Sequence, residues 1–153
     1  MRTFTSIEAI EAIEAAVGEE LGATDWVQIT QERVDRFAEL TGDQQWIHVD
    51  VERATASSFG GTIAHGYLTL SMLPGFSTQL YTIAAGSARL NYGLEKVRFP
   101  APVQVGTKIR ATPRIKEVRA VPAGTQVLVA WTVEAEGAER PVCVAESITL
   151  VLP

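Results

Sequence analysis

The chain has 153 residues, 46% hydrophobic and 20% charged, a balance ordinary for a folded domain and inconsistent with long disorder. Its 13 basic and 18 acidic residues leave a formal charge of -5, which argues against binding nucleic acid or an anionic membrane through a general positive field. No segment reaches the roughly 18 apolar residues of a membrane helix, the start Met1-Arg2-Thr3-Phe4-Thr5 lacks the layout of a signal peptide, and the single cysteine, Cys143, forms no intrachain disulfide, as suits a reducing cytoplasm.

No repeat, linker or low-complexity tract divides the chain, so one domain over 1–153 is expected, helix-rich in front and strand-rich behind. The first predicted element is a helix beginning near Thr5, an N-terminal helical extension over 1–22. Thr5 and Glu8 have the spacing of a capping box, and Ile7, Ile10, Ile13 and Val17 recur at helical spacing, with Glu8, Glu11 and Glu14 turned away. Gly18 and Gly22 bracket its end. The expected role is an arm packed on the core.

Trp26 to Ile29 reads as a short strand, and Thr30 as the cap of a helix carrying Val34, Phe37, Ala38 and Leu40 that ends near Thr41-Gly42. Asp50 caps a further short helix over Val51 to Ala56. A tight loop, Phe59 to Gly66, leads into a mostly apolar helix from Tyr67 to about Leu80, some 20 Å long and expected to be buried. Pro74 and Gly75 predict a kink or break within it. From Ser87 the pattern turns to strands, over Ala88–Leu94, Lys96–Phe99, Thr107–Val118, Gln126–Glu136 and Val142–Leu152. Strands in succession without intervening helices imply antiparallel pairing. The expected fold class is α+β, an antiparallel sheet wrapped around one long helix.

The sequence lacks the G-x-S-x-G, G-x-G-x-x-G, phosphate-loop and H-E-x-x-H motifs. Cys143 sits in an apolar alternation, where a buried and inert thiol is expected. The two histidines, His48 and His65, fall in one stretch, with Asp43 five residues before the first. On that spacing alone, a turn-capping aspartate and a backbone-bonded histidine explain the pair better than catalysis. A metal reading through Asp43, His48, Asp50 and His65 is weaker still, because no recognised ligand spacing is present and Asp50 serves as a helix cap.

The wider context is more specific. Phe37-Ala38-Glu39-Leu40-Thr41-Gly42-Asp43-Gln44-Gln45-Trp46-Ile47-His48, with Ala54 six positions on, resembles the hydratase motif of MaoC-like dehydratases and (R)-specific enoyl-CoA hydratases. Ile63 to Leu68 resembles that family's approach to the central helix, and Val97 to Gly106 its strand-and-turn signature. The resemblance runs from about Trp26 to the C-terminus. Gln45-Trp46 stands where the family's usual Asn-Pro would, a departure expected of the nodulation-protein-N-like branch, whose N-terminal extension the Ile-rich first segment also resembles. Pro74 replaces a serine that some hydratases carry.

The resemblance implies a hot-dog fold and reversible syn-addition of water to a trans-2-enoyl thioester, giving a (3R)-hydroxyacyl thioester. It assigns Asp43 and His48 as the acid–base dyad and the Gly66 N–H as the oxyanion donor. Gln45, Trp46, His65 and Tyr67 are pocket candidates, His65 chiefly as a loop-orienting residue. No separate cofactor is implied, since coenzyme A is part of the substrate, and no metal. The thioester partner is acyl-CoA or acyl carrier protein. Arg89, Lys96 and Arg98, with Lys108 and Arg110, are candidate coenzyme A contacts across neighbouring strands, although a solvated sheet face explains them equally well. A homodimer joined at sheet edges is implied as well. The competing readings are a hot-dog acyl-CoA thioesterase, against which the Gly-Asp and histidine block argues, and a non-catalytic acyl-thioester-binding subunit, against which the intact Asp43/His48 pair argues.

Overall fold

The computed structural model describes residues 5–153; Met1 to Phe4, on which most of the leader argument rests, lie outside the described residues. The first segment departs from expectation. Thr5–Ile7 form a strand, β1, and the helix that follows, α1, spans only Ile10–Ala15. Its N-cap is Ala9, with no side-chain hydrogen bond, so the helix starts four residues beyond the position that the Thr5/Glu8 spacing predicted. Tertiary pairing overrides the local signal: Ile7 is buried on a strand and Ile13 beneath the helix, while Val17 is exposed. Past α1 the chain lies along the sheet, its Gly18, Leu21 and Thr24 N–H groups donating to the carbonyls of Ile115, Pro113 and Ala111.

Val27–Gln28 form β2. Thr30 caps α2 (Gln31–Thr41) by accepting from the Arg33 N–H, and Gly42 ends it at φ 80°, donating to the Ala38 carbonyl. Two short helices follow, α3 (Trp46–Val49) and α4 (Val51–Thr55), the second capped by the Asp50 side chain. The structure places His48 on α3, which precedes the helix that Asp50 caps. The single central helix is likewise two pieces, α5 (Gly66–Ser71) and α6 (Leu73–Ser77), parted at Met72. Pro74 sets that boundary. Inside one continuous helix its ring would clash with the Leu70 carbonyl, whereas in the first turn of α6 its missing N–H costs nothing.

Tyr81–Ile83 form β3, which pairs in parallel with β1. The two strands expected between residues 88 and 99 are one, β4 (Ala88–Arg98), carried past bulges at Tyr92 and Glu95. β5 (Lys108–Val121), β6 (Gly124–Ala135) and β7 (Cys143–Leu152) complete a five-stranded antiparallel sheet in the order β2-β5-β6-β7-β4. The sheet wraps α5 and α6, which touch β7 and β5 respectively. Leu68, Leu73 and Phe76 there meet Ile115, Val129, Trp131, Val133, Cys143 and Ala145 in the core. This is the expected α+β hot-dog architecture.

Two consequences concern the site. β4 pairs with β7 and not with β5, so Arg89, Lys96 and Arg98 are not on strands neighbouring Lys108 and Arg110, contrary to expectation. Among the described residues the outer edge of β4 is unpaired, and it is apolar, with Leu90, Tyr92 and Leu94 exposed by 48%, 60% and 47%. Among the described residues, no helix is long and apolar enough to cross a membrane.

Candidate active site

Asp43 follows the left-handed Gly42 that ends α2, so the chain reverses there and brings its carboxylate back toward α3. That carboxylate is exposed and loosely held, with Oδ1 3.4 Å from the Gln45 N–H. His48 lies on α3 and is buried. Its Nδ1–H donates to the Ile63 carbonyl over 2.7 Å. A carbonyl only accepts, so this bond fixes the tautomer and leaves Nε2 with a bare lone pair. The residue's backbone is held as well: Gln31 Nε2 donates to the His48 carbonyl at 2.7 Å and to Asp35 Oδ1 at 2.8 Å, and its Oε1 accepts from the Thr62 hydroxyl.

The loop before α5 is tied down on both sides. The Ile63 N–H donates to the Ile47 carbonyl at 3.0 Å and the Ala64 N–H to the Val103 carbonyl at 2.8 Å. His65, which ends the loop, is 2% exposed and donates from Nε2 to the main-chain carbonyl of Asp43 at 3.0 Å. Its ring stacks on that of His48, centroids 3.8 Å apart and planes 24° from parallel, and meets the Phe37 ring at 4.9 Å. Asp43, His48 and His65 thus converge, one polar side-chain atom of each lying within 4.8 Å of the others.

Burial holds the His48 pKa below 6.5. The Ile63 carbonyl and the Asp43 carboxylate oppose that shift, and His65 adds to it. The site therefore presents a neutral imidazole, lone pair outward, beside a carboxylate. These three side chains also form the cluster best able to hold a metal ion among the described residues. Stacked imidazoles, however, hold their in-plane lone pairs in separate, nearly parallel planes, whereas ligands of one ion must converge on it at about 2.0–2.1 Å. The geometry favours proton transfer.

The remaining sequence candidates divide. Gln45 is the N-cap of α3, and Trp46 carries the Arg53 guanidinium 4.3 Å above its ring and meets Phe59 edge-on at 6.2 Å. Gly66 opens α5 directly after His65, and the Phe99 ring lies so close that a Cβ there would come within 2.9 Å of it. Tyr67 is exposed and meets the same ring edge-on at 6.3 Å. The cationic candidates fare differently: Arg89 pairs in register with Val151, Lys96 with Glu146 and Arg98 with Val144. Along the unbroken β7 ladder, odd and even positions face opposite ways, so Arg89 lies on one sheet face and Lys96 with Arg98 on the other. They do not form one cationic cluster. Sequence reasoning missed Gln31 and the Ile63 carbonyl altogether, and it gave Phe99 no role of its own; a glutamine at a helix start carries no signal of a clamp seventeen residues away.

From Leu70, four residues beyond Gly66, a groove of about 680 Å³ runs between α5–α6 and the strands β3, β4 and β7, with Pro74, Arg89, Leu94, Trp131 and Thr149 in its walls.

A curled sheet around a central helical segment is the hot-dog architecture, and at the mouth of that helix lie a neutral imidazole and a carboxylate. The chain belongs to the MaoC-like family, residues 12–137 matching its MaoC like domain. It is 54% identical over 149 residues to the 3-hydroxyacyl-thioester dehydratase Z of Mycobacterium tuberculosis (strain ATCC 25618 / H37Rv), covering 97% of each chain. It is 40% identical over 144 residues to the nodulation protein N of Rhizobium leguminosarum bv. viciae, covering 91% of this chain and 88% of that one. Among solved structures, the (R)-hydratase from A. caviae involved in PHA biosynthesis matches with a TM-score of 0.72 at 23% identity, over 90% of this chain and 96% of that one, a likeness of fold.

Proposed function

We propose that this hydro-lyase adds water reversibly to trans-2-enoyl thioesters to give (3R)-hydroxyacyl thioesters, with Asp43 and His48 as its acid–base pair. The observation that carries the reading is the bare Nε2 of a buried, neutral His48 beside the Asp43 carboxylate. The similarity to a chain named as a 3-hydroxyacyl-thioester dehydratase supports it. Water is a weak nucleophile at neutral pH, so its attack needs a positioned base. In the hydration direction the dyad removes one proton from water as its oxygen bonds to C3. The alkene electrons move onto the thioester oxygen, and the dyad then returns a proton to C2 on the same face. Both additions from one side make the reaction syn, and the atoms balance as one water consumed.

Negative charge on the thioester oxygen needs a donor. The Gly66 N–H, first in α5, has no intrahelical acceptor and takes that role. α5 has only six residues, so the N–H itself, more than a helix dipole, does the work. Crotonyl-CoA tests the reaction: the reading requires loss of enoyl absorbance without free thiol, whereas thiol release would indicate a thioesterase and no turnover a binding subunit.

The acyl chain runs from the dyad along α5 into the groove. Ser71→Phe, which fills the groove wall, should raise KM for an eight-carbon enoyl-CoA at least tenfold and leave crotonyl-CoA within about twofold. Equal effects on both substrates would remove the groove from the acyl path. The carrier is coenzyme A or acyl carrier protein. Because Arg89 faces the groove and Lys96 and Arg98 the opposite side of the sheet, one bound coenzyme A on this protomer does not meet all three.

The open edge of β4 supports a homodimer through edge-to-edge pairing. Replacing Leu90, Tyr92 and Leu94 together by lysine should convert dimer to monomer in sedimentation velocity, since like charges then face each other across the edge. A wild-type chain that sediments as a monomer at micromolar concentration would refute this.

A further inference from the structure

We infer that His65 is the positioning residue of the Asp43/His48 dyad, and that the two histidines are held as opposite tautomers to serve it. This rests on the hydratase reading for its kinetic consequence, but its structural content stands apart from it.

Three observations converge on this side chain. Its Nε2–H donates to the Asp43 carbonyl at 3.0 Å, which ties the loop bearing the catalytic carboxylate to the start of α5. Its ring lies flat on His48 at 3.8 Å, so His48 cannot swing about χ1 in that direction without striking it. Its own freedom is small, being 2% exposed with Phe37 packed at 4.9 Å. One residue thereby sets the separation of the two groups that act on water. A pure packing role would be met by any ring of this size. Donation to the Asp43 carbonyl would not.

The tautomers follow from the acceptors. His48 gives its proton-bearing Nδ1 to the Ile63 carbonyl and keeps Nε2 bare. His65 does the reverse, giving Nε2–H to the Asp43 carbonyl and leaving Nδ1 buried with no hydrogen-bond partner. The Thr69 hydroxyl, one helical turn further on, is also buried without a partner. An unpartnered bare nitrogen loses less on burial than an unpartnered N–H would, because the carbonyl contact already consumes the one proton of a neutral ring. Asp43, His48 and His65 are the titratable groups that meet here.

With two histidines in the chain, nitrogen NMR resolves both directly. In the wild-type protein at pH 8, the expected pattern is Nδ1–H for one histidine and Nε2–H for the other. Two identical tautomers would overturn the proposal, and no variant has to fold for that result. His65→Phe keeps a ring and loses the donor. It should lower kcat with crotonyl-CoA about 10- to 100-fold, the scale of a misplaced catalytic group, with KM within about twofold. His65→Gln places an amide N–H near the old Nε2 and should recover part of that loss. In His65→Phe the remaining histidine should also titrate at higher pH, since a group that opposes protonation of His48 is gone. A folded His65→Phe with wild-type kcat and an unshifted His48 titration would sink the assignment. If the wild type does not hydrate crotonyl-CoA, the hydratase reading fails, while the tautomer and titration results still decide the role of His65.

Discussion

Purified His48→Asn should lose hydration of crotonyl-CoA by about three orders of magnitude in kcat, within the range that general acid–base groups supply, and remain folded. The asparagine amide takes the place of Nδ1, so the Ile63 carbonyl keeps a donor while Nε2 disappears. Asp43→Asn should lose two to three orders with almost no change in stability, because the carboxylate is exposed and its one close donor sits at 3.4 Å. Wild-type turnover in either folded variant would end the dyad assignment. The pH dependence follows from the same side chain. Burial lowers the His48 pKa, so the imidazole stays neutral, and the acid limb of kcat/KM should lie below 6.5. Stability has the same sign. The unfolded chain protonates this imidazole near 6.5 and the folded one only at lower pH, so unfolding is favoured progressively as pH falls through that interval. His48→Asn should remove that component from the stability–pH curve, measured by denaturant melts.

The largest stability loss is expected at two glycines that grip the end of β7. Gly86 has φ +75° and Gly124 φ +145°, and a Cβ on either would come within 2.2 Å of a main-chain oxygen, that of Leu152 for the first and Val151 for the second. Neither oxygen can move without breaking the terminal strand, and a left-handed alanine is strained besides. Gly86→Ala and Gly124→Ala should each cost about 3–5 kcal/mol, adding overpacking to backbone strain. For a chain of this size that is a fall in Tm of roughly 10 °C or more. A loss below about 1 kcal/mol in a thermal or denaturant melt would show that the β7 terminus shifts freely. Gly42, with open space around its Cα, should be far more tolerant of the same change despite its φ of +80°.

What was legible in advance was whatever a few neighbouring residues decide. Thr30 and Asp50 cap the helices they precede, Gly42 ends one, and the alternation of Val127 to Val133 marks a strand with one buried face. The misses share a cause of the opposite kind. Thr5 and Glu8 have capping spacing, yet the backbone from Thr5 to Ile7 pairs with Tyr81 to Ile83, more than seventy residues away. Leu94 and Lys96 read as belonging to two strands because the bulges of β4 break its alternation. The cationic residues looked clustered along the chain and are divided by the sheet order and by the two faces of β4. At the candidate site, Asp43, His48 and Gly66 were singled out through the resemblance of their motif. The stack of His65 on His48 and the clamp by Gln31 were not, since both join elements far apart in the chain.

Cys143 gives the chemistry one further meaning. An enoyl thioester is a soft electrophile that captures thiolates at the same carbon where water is meant to add. The protein's one sulfhydryl opens β7 within the core, and burial pushes it up to about 11, so it is protonated and out of reach at neutral pH. If the proposed reaction is this protein's own, its chain thus carries no accessible thiol for such substrates to alkylate.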